Sequence, residues 1–221
     1  MESLTQNKSI EINLEVKYGL PKQVLFCKKC VISNQRPNSV PEFKHTSNSK
    51  KPTIEFDKDF ICDACRMAEN KKRNIDWAMR EKELIELCDQ YRRNDGTYDC
   101  LVPGSGGKDS FYTAHMLKYK FGMNPLTITW APHIYTDWGW KNLQAWIHAG
   151  FDNHLITANG KVHRLLTRLA FENLLHPFQP FILGQKNLAP KIAATYDIPL
   201  VFYGENEAEY GNPIKDTGSA E

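Results

Sequence analysis

The stretch SGGKDS, residues 105–110, puts two glycines, two hydroxyls, an ammonium and a carboxylate into six positions. Gly106 and Gly107 let the backbone turn tightly and approach a ligand where a Cβ would block it. Ser105 and Ser110 can donate hydrogen bonds, Lys108 adds positive charge, and successive backbone N–H groups make a cradle for an anion. These are the groups that hold a phosphate chain. A plain connecting turn would need only the glycines and would leave two serines, a lysine and an aspartate without a task.

Four cysteines form a second set: Cys27 with Cys30, and Cys62 with Cys65. Two CxxC turns offer four thiolates, which suits tetrahedral Zn²⁺ and leaves no coordination position open for chemistry, so the metal expected is structural. The intervening stretches SNQRPNSVPEF and KHTSNSKKP are too polar and broken to build a core. Something other than apolar burial has to hold this segment together. The competing readings are four unligated thiols and a redox pair, but neither CxxC lies at the strand-to-helix turn of a βαβ unit. Cys88 and Cys100 stand alone and read as small buried hydrophobes.

The elements that must position the loop follow from hydrophobic patterning. Residues 98–102 read as a strand entering the loop, and a helix starts at 109. LTITW from 126 is a second strand, followed by a helix near KNLQAWIHAG, a strand NHLITA, helices VHRLLTRLAFENLL and LAPKIAATY, and a strand PLVFYG. Strands rich in Val, Ile, Leu and aromatics that alternate with helices predict an α/β fold, a parallel sheet with helices on both faces. Upstream, WAMREKELIELCDQYRR places Leu84, Leu87, Cys88 and Tyr91 on one helix face. The expected organisation is an N-terminal metal-binding segment over residues 1–75, a linking helix over 76–97 and the α/β domain over 98–221, with EINLEV near the start readable as an edge strand or an ordered tail.

In such a sheet ligands sit at the carboxyl ends of the strands, where a helix N-terminus presents free N–H groups. SGGKDS has that position, yet it is neither of the commoner phosphate loops. A Walker A loop needs Gly at position 102, which is Val, and a hydroxyl after the lysine, where Asp109 stands; a dinucleotide fingerprint from Gly104 would need Gly at 109. GENEAEYG follows the strand PLVFY, so Gly204, Glu205 and Asn206 are expected at the same edge as the loop, with Glu205 in contact with substrate or Mg²⁺. WAPHIYTDWGW contributes either to a pocket or to the core. His163 and Arg168 read equally as surface or substrate-binding residues, and the basic run 71–74 as a solvated face.

SGGxDS after a strand resembles the pyrophosphate loop (PP-loop) of the N-type ATP pyrophosphatases, with the HUP-type α/β fold. More of the chain is similar to the N-acetyl sugar amidotransferases of bacterial pseudaminic-acid and lipopolysaccharide O-antigen synthesis. The match runs through Cys27-Lys-Lys-Cys30-Val31, Arg36-Pro37, Phe56-Asp57 to Cys65, the loop at 103–110, Thr136, Gly139, Asn142-Leu143, Gly150-Phe151-Asp152, His163, Arg168, GEN at 204–206 and Glu209-Tyr210-Gly211. Phe60 and Trp140 depart from it, standing where glycine and a basic residue are usual. Members of the family continue well beyond the tail DTGSAE that ends this sequence.

The resemblance implies an ATP-dependent enzyme that turns the acetamido group of a nucleotide-activated sugar into an acetamidino group. ATP would be split to AMP and pyrophosphate, with Ser105, Gly106, Gly107, Lys108, Asp109 and Ser110 on the phosphates, Lys108, Asp109 and Glu205 carrying the chemistry, and Gly204 and Asn206 completing the nucleotide site. Mg²⁺ would bridge the phosphates and Zn²⁺ would occupy Cys27, Cys30, Cys62 and Cys65. The nitrogen would be ammonia released from glutamine by a separate glutaminase and passed through a cyclase-like barrel subunit. The rival readings are a PP-loop tRNA thiolase, which would require reactive cysteines and a basic RNA face, and a non-catalytic zinc-binding module.

Composition is compatible with this. A chain of 221 residues, 41% hydrophobic, can bury a real core. A net charge of +2 and a pI near 8.1 argue against a dedicated nucleic-acid binder. The N-terminus has no basic segment followed by an apolar core, and no window offers eighteen apolar residues, so a cytoplasmic protein is expected.

Overall fold

The structure, a computed structural model, describes residues 19–36 and 53–205. The expectations placed on residues 1–18, on Pro37, on Asn206 and on Glu209-Tyr210-Gly211 lie outside the described residues. The chain divides into two compact units, Met1–Asp76 with Glu207–Glu221, and Trp77–Asn206.

The larger unit is α/β. Its parallel sheet has the order β1-β2-β3, with β1 Cys100–Pro103, β2 Pro125–Trp130 and β3 Asn153–Ile156. Leu101 pairs with Leu126 and Thr127 with Asn153. On the other side of β1 the chain returns as a single parallel bridge between Leu101 and Val201. Two hydrogen bonds fix it: Leu101 N–H donates to the Leu200 carbonyl and Phe202 N–H to that of Leu101, both at 2.9 Å. The strand predicted at PLVFYG is therefore present as a short bridged segment beside the strand that carries the loop.

Period-two alternation along β1 feeds two cores. Cys100 and Val102 pack with Cys88 of α2 (Trp77–Tyr91), Ala114 of α3 (Lys108–His115), and Leu143 and Trp146 of α4 (Asp137–His148). Leu101 packs with Leu126, Ile128 and, from α6 (Gln179–Thr195), Leu188, Ala189 and Ala193. The sheet is thus covered on both faces, the condition under which parallel strands read as apolar runs. The helix α5, Gly160–Leu174, lies between β3 and α6 in the chain.

Buried polar groups at the sheet are satisfied in ways that fix register. Asp99, 1% exposed, accepts from Arg93 N–H at 2.6 Å and Asn124 N–H at 2.7 Å, tying the ends of two connections to the entry of β1. Thr127 and Thr129 receive the amide of Asn153 at 3.0 and 3.1 Å. After α3 the helix widens into a π-helical turn, Met116–Lys120, and closes with Phe121 N–H on the Met116 carbonyl.

Among its described residues the smaller unit has little regular structure outside one helix. Two antiparallel bridges, Phe26 with Ser33 and Phe56 with Cys62, lead into α1, Asp63–Asn74. Among the described residues its buried cluster consists of Cys27, Ile54 and Cys62, with Ile32, Phe56, Ile61 and Ala64 packed against it. Among the described residues no helix is long and apolar enough to cross a membrane.

Candidate functional site

The glycine loop lies where patterning puts it, between the end of β1 at Pro103 and the first turn of α3 at Lys108. Gly106 has φ +82°, and a Cβ there would lie 2.5 Å from the Asn142 carbonyl oxygen and 2.9 Å from Leu143 N. The loop is thus seated directly on the backbone of α4, which explains why Asn142-Leu143 belongs to the same pattern. Gly107 is different. It caps α3 with φ −64°, and a Cβ built on it meets nothing within 4 Å. The protein's own packing makes no demand for glycine at 107, and the helix N-terminus is open there to an approaching ligand.

Gly104 and Gly204 complete the frame. A Cβ on Gly104 would come within 2.4 Å of the Ser110 side chain, and one on Gly204 within 2.5 Å of Ser110 N and 2.7 Å of the Asp109 carbonyl carbon. The segment after the bridged strand therefore packs against the first turn of α3, and Glu205, exposed, follows immediately. Glu205 and the loop are brought to one edge of the sheet, the carboxyl ends of β1 and of the strand beside it.

Around the loop, Ser105 is exposed and Ser110 Oγ donates to the Gly107 carbonyl at 3.2 Å. Lys108, 87% exposed, sets its Nζ 2.7 Å from both carboxylate oxygens of Asp109. An ion pair so open to water is worth little. A cleft of about 470 Å³ adjoins the loop, lined by Gly106, Lys108, Phe111, Tyr112, His115 and Asn142. Sequence reasoning missed Tyr112 and His115; their signal is the helical period, since Lys108, Phe111, Tyr112 and His115 fall on one face of α3.

Other positions of the pattern serve the frame. Thr136 caps α4, its Oγ1 accepting Gly139 N–H at 3.0 Å, and a Cβ on Gly139 would sit 3.2 Å from that oxygen. Gly150 has φ +93°, Phe151 is buried, and Asp152 accepts the Tyr98 hydroxyl at 2.9 Å. Arg168 pairs with Glu172 at 2.6 Å on α5. His163 stacks on His133 with ring centroids 4.3 Å apart, beside Trp130, Phe178 and Phe181. Burial and the neighbouring His133 hold the His163 imidazole below its usual range. WAPHIYTDWGW divides: Trp130 and Tyr135 are partly buried, while Ile134, Trp138 and Trp140 face solvent.

The smaller unit brings all four cysteines of the two CxxC pairs together, their Sγ atoms within 4.8 Å of one another. Cys30 and Cys62 sulfurs are 3.6 Å apart. Four sulfurs at the Zn–S distance of about 2.3 Å around a tetrahedral centre stand about 3.8 Å apart, so the set fits zinc with little movement. Backbone amides already point at the sulfurs: Cys62 N–H and Lys29 N–H donate to Cys27 Sγ at 3.3 Å, and Cys65 N–H to Cys62 Sγ at 3.4 Å. Burial pushes the Cys27 thiol up, but the amides of Cys62, Lys29 and Cys30 outweigh it and bring it down to about 6. Burial, then the sulfurs of Cys30 and Cys62, push Cys65 up. Val31 and Phe60 have φ +58° and +61°, the left-handed turns that aim the two pairs inward. At Phe60 this is the conformation glycine adopts most easily.

No protein-family model matches the chain. An uncharacterized protein of Methanocaldococcus jannaschii is 34% identical over 84 residues, 38% of this chain and 29% of that protein. Among solved structures, the NH3-dependent NAD synthetase of Campylobacter jejuni in complex with the nitrate ion superposes with a TM-score of 0.47 at 16% identity, covering 61% of this chain and 59% of the synthetase. The matched part of the chain thus spans less than two thirds of either protein.

Proposed function

We propose that this protein is a PP-loop enzyme that splits ATP to AMP and pyrophosphate to activate a carbonyl-type oxygen for attack by ammonia, and that its substrate is an activated N-acetyl sugar. The observation that carries the reading is the loop itself: Ser105–Ser110 at the C-terminal end of β1, open at Gly107 and framed by Gly104, Gly106 and Gly204. A phosphate-binding loop has that build. It lacks the residues that Walker A loops and dinucleotide fingerprints need at 102 and 109.

An amide oxygen is a very poor leaving group and has to be converted before nitrogen can replace it. In the proposed reaction the acetamido oxygen attacks the α-phosphorus, and the bond from that phosphorus to the pyrophosphate oxygen breaks. Ammonia then adds to the imidate carbon, loses a proton, and AMP departs with the original oxygen, leaving the amidine. Charge develops on the leaving pyrophosphate. The α3 N-terminal N–H groups, the Ser105 and Ser110 hydroxyls and Lys108 would be the donors to that charge. Mg²⁺ would neutralise the phosphates, with Asp109 and Glu205 the carboxylates available at this edge. The cleft lined by Tyr112, His115 and Asn142 adjoins the loop and offers room for the acceptor.

The thiolase reading needs a cysteine to carry sulfur. Cys88 and Cys100 are both fully buried, and burial, with the Asp99 carboxylate next, pushes the Cys100 thiol up to about 12. The other four cysteines make the metal set. The test is product formation: the chain, with ATP, Mg²⁺, ammonium and a panel of nucleotide-activated N-acetyl sugars, should yield an amidine one mass unit lighter than its sugar. Amidine formation without AMP release would overturn the mechanism, and sulfur transfer to RNA would overturn the substrate class.

A further inference from the structure

The cleft beside the glycine loop extends well away from it. Lys108, Tyr112 and His115 stand at i, i+4 and i+7 on one face of α3, so the lining follows that helix for about 10 Å, from its first residue to its last. Asn142 of α4 contributes the other wall. The phosphates of ATP belong at the helix N-terminus, where the free N–H groups are. The far end of the cleft lies two turns from those groups and is available to a different ligand.

That end is lined by groups that can donate hydrogen bonds. Tyr112 offers a phenol, His115 an imidazole and Asn142 a carboxamide; all three residues are exposed, and among the described residues no protein group hydrogen-bonds their side chains. No carboxylate is among the lining residues, and Lys108, paired with Asp109 at the loop end, adds a cation. The imidazole is also held in place. Its ring rests on Tyr119 with centroids 4.8 Å apart, and the Tyr119 hydroxyl donates to the Ala149 carbonyl at 2.6 Å. An edge contact at 6.3 Å ties Tyr119 in turn to buried Phe151. An exposed imidazole that is already ordered binds an anion with less loss of side-chain freedom. A concave wall of donors without an acid suits a phosphate ester.

We propose that Tyr112, His115 and Asn142 form a phosphate subsite for the acceptor, holding the activating phosphate of the sugar while its acetamido group is presented at the loop. This rests on the reading of the loop as an ATP site, and adds that the acceptor is recognised by its phosphate ester.

Calorimetric titration of the full chain tests it, with UDP as the probe and uridine as its control. The loop is first saturated with Mg²⁺ and an ATP analogue whose α–β bridge is methylene. UDP should still bind, about tenfold or more tighter than uridine, and His115→Ala should remove most of that difference. The variant should keep its circular dichroism and its affinity for the analogue, because the side chain is exposed and distant from the helix N-terminus. His115→Arg, which keeps donors at the position, should retain most of the UDP affinity. UDP no tighter than uridine, or UDP affinity indifferent to His115→Ala, overturns the proposal. So does His115→Ala weakening the analogue as much as UDP, which would give the cleft to ATP. An analogue that fails to bind while UDP binds in a His115-dependent manner would remove the ATP reading of the loop and leave the subsite standing.

Discussion

The two central glycines of the loop have different reasons to be glycine, and this separates fold from function at single-residue resolution. Gly106→Ala places a methyl 2.5 Å from the Asn142 carbonyl at φ +82°, so it should cost at least ~1–3 kcal/mol in a chemical-denaturation series. Gly107→Ala meets nothing and keeps an ordinary φ, so stability should stay within about 0.5 kcal/mol while pyrophosphate and ATP affinity fall at least tenfold. Equal stability losses in the two variants, or undiminished affinity in Gly107→Ala, would mean that the loop is only a connection. The isolated cysteines make the complementary case. Cys88→Ala with Cys100→Ala should cost roughly 0.5–3 kcal/mol per site through lost core volume, with product formation otherwise intact. A well-folded double variant that cleaves ATP but makes no product would restore the sulfur-carrying reading.

At the scale of elements, the smaller unit is expected to depend on a metal held by its four cysteines. Its described buried cluster is Cys27, Ile54 and Cys62, and structural zinc contributes about 10 kcal/mol or more of apparent folding energy in small modules. One zinc per chain is expected on elemental analysis. A strong chelator at neutral pH should remove it and melt the fold around α1 while the α/β unit keeps its own thermal transition. Freshly purified protein without zinc, or hydrogen exchange around Cys27 and Cys62 that a chelator leaves unchanged, would contradict this. Acid should act in the same direction, since zinc binds thiolates and protons compete for them.

Much of this architecture was legible from the sequence because each element carries its own signal. The loop, the two CxxC pairs and the alternation of apolar strands with helices are local patterns, and the structure places them as read. The α3 start at Lys108, β2 and α4 follow the predicted order within a few residues. What was not legible depends on contacts distant in sequence. Nothing in GEN at 204–206 says that Gly204 must abut Ser110, and nothing in Asn142-Leu143 says that Gly106 rests on it. Tyr112 and His115 were hidden for another reason: their helical spacing from Lys108 is plain, but only the cleft gives that face a meaning. Thr136 and Gly139 matched a functional pattern yet form a helix cap, so matched order alone does not separate scaffold from site.

For the whole molecule, the account combines a parallel sheet covered on both faces, a glycine loop at the carboxyl end of β1 proposed to hold phosphate, and a separate unit that gathers four cysteine sulfurs. Its central claim is the fate of ATP, because every assignment at the loop depends on where the phosphate chain breaks. The direct measurement is product analysis with ATP labelled separately at the α and γ phosphates, in the presence of ammonium, Mg²⁺ and the activated acetamido sugars. The account predicts α label in AMP and γ label in pyrophosphate, in equal amounts, with release at subsaturating ATP reduced at least tenfold in Gly107→Ala. Label in ADP and inorganic phosphate, or undiminished AMP release at subsaturating ATP in that variant, would contradict it.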